Sequence, residues 1–180
     1  MSYKINEIFR SLQGEGRFTG QAVIFIRFSG CNLKCGFCDT AHESFKEYEL
    51  HELIYEIGQY KINRVVLTGG EPTLQVDEEL LAALFSNSYK INMESNGTNL
   101  FDFTIDWLTI SPKENWIQRH GDELKVVYVG QDLEQYFDSD FTYYYLQPCS
   151  MQNIPEVISI CETDQRWILS LQTQKMLNIK

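Results

Sequence analysis

Ala22-Val23-Ile24-Phe25-Ile26-Arg27-Phe28-Ser29-Gly30-Cys31-Asn32-Leu33-Lys34-Cys35-Gly36-Phe37-Cys38 runs from an apolar segment straight into three of the chain's five cysteines. The nearly continuous apolar run 22–26 has the signature of a parallel strand covered on both faces. The crowding that follows needs a chemical reason. Thiolates are soft ligands, and a loop loosened by Gly30 and Gly36 can turn three of them onto one iron–sulfur cubane, leaving one iron without a protein ligand. Such an iron can bind the amino and carboxylate groups of a small molecule, which points to catalysis and not to simple electron carriage. A structural zinc site would need a fourth ligand, from His42 or the remote Cys149. A disulfide framework conflicts with the odd cysteine count and the lack of secretory context.

With 180 residues, 43% hydrophobic and 13% aromatic, the chain reads as one domain, 1–180, able to bury about 70% of its unfolded surface. No repeat or low-complexity segment interrupts it, and the apolar runs are too short to span a membrane. The start, Met1-Ser2-Tyr3-Lys4-Ile5-Asn6-Glu7, is neither basic nor apolar, so a cytoplasmic location is expected, where thiols stay reduced. The formal charge of −10 repels a phosphate backbone and argues against nucleic-acid binding, although solubility accounts for most of it.

Outward from the cysteines, Ile5 to Arg10 has strand character and leads into Ser11-Leu12-Gln13-Gly14-Glu15-Gly16, either an ordinary turn or a ligand clamp. Its glycines miss the dinucleotide spacing, because the next one is Gly20. Arg27 is costly to bury without an anion, which an acidic side chain or a ligand carboxylate could supply. Leu50, Leu53, Ile54 and Ile57 recur at helical spacing before the strand Arg64 to Leu67, giving a βαβ unit. That strand ends in Thr68-Gly69-Gly70-Glu71-Pro72, where Glu71 offers an acceptor for a ligand ammonium.

Leu80, Leu81, Leu84 and Phe85 mark a second helix. Four more strands are predicted: Lys90 to Glu94, Trp107 to Ile110, Lys125 to Val129 and Thr142 to Leu146. Each ends in a polar turn, namely Ser95-Asn96-Gly97-Thr98, Ser111-Pro112-Lys113, Gly130 and Gln147-Pro148. Turns at the carboxyl ends of parallel strands converge on one mouth, and several connections are too short for a helix. The predicted fold is therefore α/β, a trimmed, open, partial TIM-type barrel of about six parallel strands with reduced helices. Ile154, Val157, Ile158 and Cys161 form one face of a late helix, and Ile168 to Leu171 a final short strand. Cys149 and Cys161 read as small core residues. His51 is placed in a helix and His120 in a polar loop, without metal spacing.

The spacing Cys-x3-Cys-x2-Cys, with an aromatic residue before the last cysteine, resembles the signature of the radical S-adenosylmethionine (SAM) enzymes. With Gln13-Gly14-Glu15-Gly16, Arg27, Cys38-Asp39-Thr40, Thr68-Gly69-Gly70-Glu71-Pro72, Glu94, Ser111-Pro112-Lys113 and Leu146-Gln147-Pro148, the chain is similar nearly end to end to the 7-carboxy-7-deazaguanine synthase family of the queuosine and deazapurine pathway. That resemblance implies a homodimeric lyase converting 6-carboxy-5,6,7,8-tetrahydropterin to 7-carboxy-7-deazaguanine with loss of ammonia. A 4Fe-4S cluster on Cys31, Cys35 and Cys38 would reduce SAM and cleave it to a 5′-deoxyadenosyl radical, drawing electrons from a donor such as flavodoxin or ferredoxin.

The same resemblance implies Mg2+ at Thr40 and SAM contacts from Phe37, Cys38, Asp39, Gly70, Glu71, Ser111, Pro112, Lys113 and Gln147. The pterin would meet Leu12, Gln13, Gly14, Glu15, Arg27, Thr68, Glu94 and Lys180. The tail departs from the family, with Gln174 where many relatives have histidine and Lys180 where they have proline. A radical SAM activase acting on a partner protein, and a non-enzymatic iron–sulfur or zinc module, are the competing readings.

Overall fold

The computed structural model describes residues 2–36, 38 and 42–180. Its strands, in chain order, are β1 (Ser2–Leu12), β2 (Ala22–Phe28), β3 (Lys46–Glu49), β4 (Arg64–Gly69), β5 (Lys90–Ser95), β6 (Trp107–Ile110), β7 (His120–Tyr128), β8 (Asp140–Pro148) and β9 (Ile168–Leu169). They form a single sheet in the order β3-β1-β2-β4-β5-β6-β7-β8-β9. Every pair from β2 to β9 is parallel, whereas β1 runs antiparallel to β2 and to β3. The order starts at β3 and ends at β9, so the barrel is open. The parallel set is one strand larger than expected, because the two-residue β9 joins it.

The α-helices are α1 (Leu50–Gly58), α2 (Glu78–Ser86), α3 (Ile154–Thr163) and the short α4 (Thr173–Leu177). A capping box between Glu49 and Glu52 starts α1, and Asp77 caps α2 by accepting from the Leu80 amide at 2.9 Å, each satisfying amides that lack intrahelical partners. Leu53 and Ile57 of α1, and Leu80, Leu81 and Leu84 of α2, are buried. Phe85 and Ile158, both expected on apolar faces, are instead more than a third exposed. No α-helix lies between β5 and β6, β6 and β7, or β7 and β8, in line with the short connections there. His120 opens β7 and does not sit in a loop.

Side chains alternate along each strand, so every strand contributes to two different surfaces. Ile24, Ile26, Val65, Leu67, Ile91, Met93, Leu108, Ile110, Leu124, Val126 and Leu146 belong to the hydrophobic core. Burying each aliphatic side chain of this size contributes roughly 1.5–3 kcal/mol. The other surface is polar. Register pairs Arg27 with Thr68, Glu94 with Thr109, Thr109 with Glu123, and Val127 with Gln147. Lys125, two residues beyond Glu123, shares that surface.

An aromatic plug sits at the amino-terminal end of β6 and β8. Phe18 meets Trp107 edge-on at 4.9 Å, Trp107 meets Tyr143 at 5.8 Å, and the Arg64 guanidinium lies 4.3 Å from the centre of the Phe18 ring. The turn carrying Phe18 depends on Gly16, whose φ is +63° and whose Cβ, if present, would lie 2.1 Å from the Glu123 carboxylate. This glycine admits the barrel's own side chain.

Candidate active site: a thiol-rimmed cavity

A cavity of about 770 Å³ opens among the carboxyl-terminal ends of the strands. Cys31, Cys35 and Cys38 line it together with Arg27, Thr68, Glu94 and Lys125. The cysteine loop leaves β2 directly, and its base is pinned by His42, whose carbonyl accepts from Ser29 Oγ at 2.6 Å and Gly30 N at 2.9 Å. Asn32 ties the loop to the β5 turn, donating to Thr98 Oγ1 at 2.7 Å and accepting from Asn96 Nδ2 at 3.0 Å. The end of β4 packs directly beneath. Gly70 donates to the Phe28 carbonyl at 3.0 Å, and a Cβ there would fall 1.8 Å from the Gly30 carbonyl oxygen, so only glycine fits.

The three thiols suit a cluster. Burial pushes the Cys35 thiol up, Lys113 opposes that, and Cys31 and Cys38 reinforce it, so the thiols sense one another. The Leu33 amide donates to Cys31 Sγ at 3.4 Å. Among the described residues, no three His, Cys, Asp or Glu side chains gather as a single-ion site. A cubane meets each thiolate at a different iron and takes three thiols lining one cavity as its donor set, whereas a structural zinc ion would need a fourth ligand. A bound cluster and SAM would bring the radical chemistry to this loop.

Of the positions assigned to SAM, Gly70, Ser111, Lys113 and Gln147 line the cavity along with Cys38. Lys113 donates to the Ser111 carbonyl at 2.9 Å and hydroxyl at 2.8 Å, and burial lowers its pKa despite the neighbouring thiols. Pro112 is buried and is not among the cavity-lining residues. Phe37, Asp39 and Thr40 lie outside the described residues.

Glu71 requires a correction. It is completely buried, outside the cavity lining, and accepts from Thr73 N and Oγ1 (3.1 and 2.6 Å), Ser95 Oγ (2.8 Å) and Asn96 N (2.8 Å). With both carboxylate oxygens occupied, it fastens the β4 turn to the β5 turn and leaves no room for a ligand ammonium.

All eight positions assigned to the pterin line the cavity. Arg27 donates from Nε to Glu7 at 3.1 Å, so the acidic partner and the cavity position occur together. Gln13 Nε2 donates to Glu94 Oε1 at 3.0 Å, and Thr68 Oγ1 to Glu94 Oε2 at 3.3 Å. Glu15 pairs with Lys125 at 2.6 Å and accepts two further amide donors from the tail. Lys180 pairs through its ammonium with Glu7, and its backbone oxygen accepts from the Ser11 hydroxyl.

Sequence reasoning missed Lys125. Its side chain is 5% exposed and lies within ion-pair distance of Glu15 and, at 3.7 Å, Glu94. Burial alone would lower its pKa, but Glu15, Glu94 and Glu123 outweigh that and hold it charged. The available signal was a lysine on the same strand face as Glu123, alternating with apolar residues.

An open parallel barrel with three thiols on the loop after its first parallel strand defines a radical SAM protein, and residues 25–162 match the radical SAM superfamily model. The 7-carboxy-7-deazaguanine synthase of Bacteroides thetaiotaomicron is 46% identical over the full length of both chains. That of Caulobacter vibrioides is 35% identical across 99% of this chain and all of its own. The crystal structure of QueE from Escherichia coli matches with a TM-score of 0.80 and 29% identity, over 95% of this chain and 94% of that one. Streptococcus suis SuiB, solved with its precursor peptide SuiA, shares the fold at a TM-score of 0.56 and 16% identity, over 83% of this chain and 47% of its own. The chain belongs to the 7-carboxy-7-deazaguanine synthase family.

Proposed function

We propose that this protein is a radical SAM lyase that converts 6-carboxy-5,6,7,8-tetrahydropterin to 7-carboxy-7-deazaguanine with loss of ammonia, in queuosine and 7-deazapurine biosynthesis. The observation that carries this reading is one cavity lined by all three thiols together with Arg27, Thr68, Gln13 and Glu94. Cys31, Cys35 and Cys38 would hold a 4Fe-4S cluster, which together with SAM would supply a hydrogen-abstracting carbon radical.

The chain's own residues bind, orient and shield. Glu94 and Gln13 suit the N–H and carbonyl edge of a pyrimidinone ring. Arg27, which donates from Nε to Glu7, carries the planar guanidinium that suits a ring carboxylate. Leu12, Gly14 and Thr68 complete the pterin side, and Gly70, Ser111, Lys113 and Gln147 the SAM side. Pro112 and Glu71 shape the turns carrying those residues. Phe37, Cys38 and Asp39 would add SAM contacts, Thr40 an oxygen ligand for Mg2+, and the Lys180 terminus a carboxylate at the mouth.

The protein would act as a single domain and a homodimer, drawing electrons from flavodoxin or ferredoxin. It would need no nucleic acid or membrane, and a cytoplasmic setting would keep its thiols reduced. Among the described residues, no helix is long and apolar enough to cross a membrane. The test is anaerobic incubation of the reconstituted protein with the pterin, SAM and reductant, followed by mass spectrometry. The deazaguanine product supports the reading. A radical mark on an added partner protein with no such product would favour an activase.

A further inference from the structure

The C-terminal segment forms one wall of the cavity without being packed into the core. Gln174, Lys175, Ile179 and Lys180 line the cavity, yet α4 has no buried residue, and Met176 and Leu177 are each 62% exposed. Apolar burial therefore contributes little to holding this wall, and polar contacts must do so. They fall into two groups. At the tip, the Lys180 ammonium pairs with Glu7 and the Ser11 hydroxyl donates to the Lys180 backbone oxygen; the lysine is 64% exposed, where solvent screens such a pair.

The root is different. The Gly14 carbonyl accepts from Thr173 N at 3.0 Å and Thr173 Oγ1 at 2.9 Å. Glu15 Oε1 accepts from both Gln172 Nε2 and Gln174 Nε2 at 2.9 Å, while Glu15 Oε2 accepts from Lys125 Nζ at 2.6 Å. These bonds are shielded, since the Lys125 and Glu15 side chains are 5% and 15% exposed. Gly14 lets the segment come this close, because a Cβ there would lie 1.8 Å from Gln174 Oε1.

We infer that Glu15 is a positioning residue, a carboxylate clasp anchored on Lys125 that holds residues 172–180 across the cavity, and that it is not itself a substrate contact. Both oxygens are committed to protein donors. The two tail amides and the one ammonium need an acceptor at each oxygen, which a carboxylate provides and an amide does not. The clasp rests on the reading under Proposed function only in naming what the wall encloses. The exchange half of its test needs no substrate.

Hydrogen–deuterium exchange of the cluster-loaded full-length protein and its Glu15→Gln variant tests this. Amides of residues 174–180 should exchange about tenfold faster or more in the variant, with β4 and β5 protection unchanged, and the pterin KM should rise along with the loss of protection. Should Glu15→Gln fail to fold, Gln172→Ala/Gln174→Ala, which leaves the Lys125–Glu15 pair in place, must show the same local acceleration. Tail protection that stays at the wild-type level in whichever of these variants folds would overturn the clasp. So would a loss of pterin affinity in Glu15→Gln with tail protection intact, which would make Glu15 a direct contact.

Discussion

Arg27, Glu94 and Lys125 are charged side chains on the polar face of strands whose other face belongs to the core, and each stands beside a counter-charge. Arg27 meets Glu7, and Lys125 meets Glu15 and Glu94. Arg27→Ala should therefore raise the pterin KM by about tenfold or more while leaving the SAM KM near its wild-type value. Steady-state kinetics that show equal effects on both, or none, would remove Arg27 from the pterin side. Cys35→Ala should abolish 5′-deoxyadenosine formation, measured by liquid chromatography after anaerobic reconstitution.

Glu15 makes a pH prediction. Burial would raise its carboxyl pKa, but the Lys125 charge, with hydrogen bonds from Lys125, Gln172 and Gln174, overrides burial and brings it to about 2. Glu94 and Glu123 also face Lys125 and keep the anchor itself charged, while the like charge of Lys113 opposes them. A depressed carboxylate stabilises fully above its unfolded value near 4.5 and loses that contribution as pH falls through 2. The difference in urea-unfolding free energy between wild type and Glu15→Gln should thus stay level from pH 5 to neutrality and shrink below pH 4.5, with the window set by this carboxyl. A difference that does not depend on pH would contradict this assignment. Arg27 was legible in the sequence because a charge follows directly on an apolar run, whereas Glu94 entered only through the family resemblance. Glu71 was misread because a Gly-Gly-Glu-Pro turn looks the same whether its carboxylate serves a ligand or the next turn of the chain.

At the scale of elements, the unit made of β2, the cysteine loop, α1 and β4 was readable from a nearly continuous apolar run, a helical period and two glycines. Its close packing explains the glycines. Gly69 has φ +121°, and its Cβ would fall 2.3 Å from the Phe28 carbonyl oxygen. Gly70→Ala should lower the melting temperature and reduce iron bound per chain, because the β4 turn can no longer seat under Gly30. Unaltered iron and thermal stability would show that the loop does not depend on this contact.

Glu71→Ala strands the Ser95 hydroxyl and the amides of Thr73 and Asn96, and should cost of the order of 3 kcal/mol in unfolding free energy. What the sequence concealed at this scale was β3 and α4. Both are short and polar, and their place is set by hydrogen bonds to β1 and to the Gly14–Glu15 turn, which leave no periodic trace.

For the molecule as a whole, a sheet whose far half carries no α-helix between β5 and β8 is left open, and the opening is where the polar faces of the strands meet. The open, mostly parallel barrel was legible from strand–turn repetition and short connections. The charged floor on β5 and β7 was not, because it depends on register between strands distant in sequence, and Lys125 read alone is one polar residue in an apolar strand. Anaerobic turnover of the cluster-loaded protein with 6-carboxy-5,6,7,8-tetrahydropterin, SAM and dithionite, with products identified by mass, tests the central claim most directly. The prediction is 7-carboxy-7-deazaguanine formed together with ammonia in equal amounts. A protein that carries its cluster and makes 5′-deoxyadenosine but leaves the pterin unchanged would contradict it.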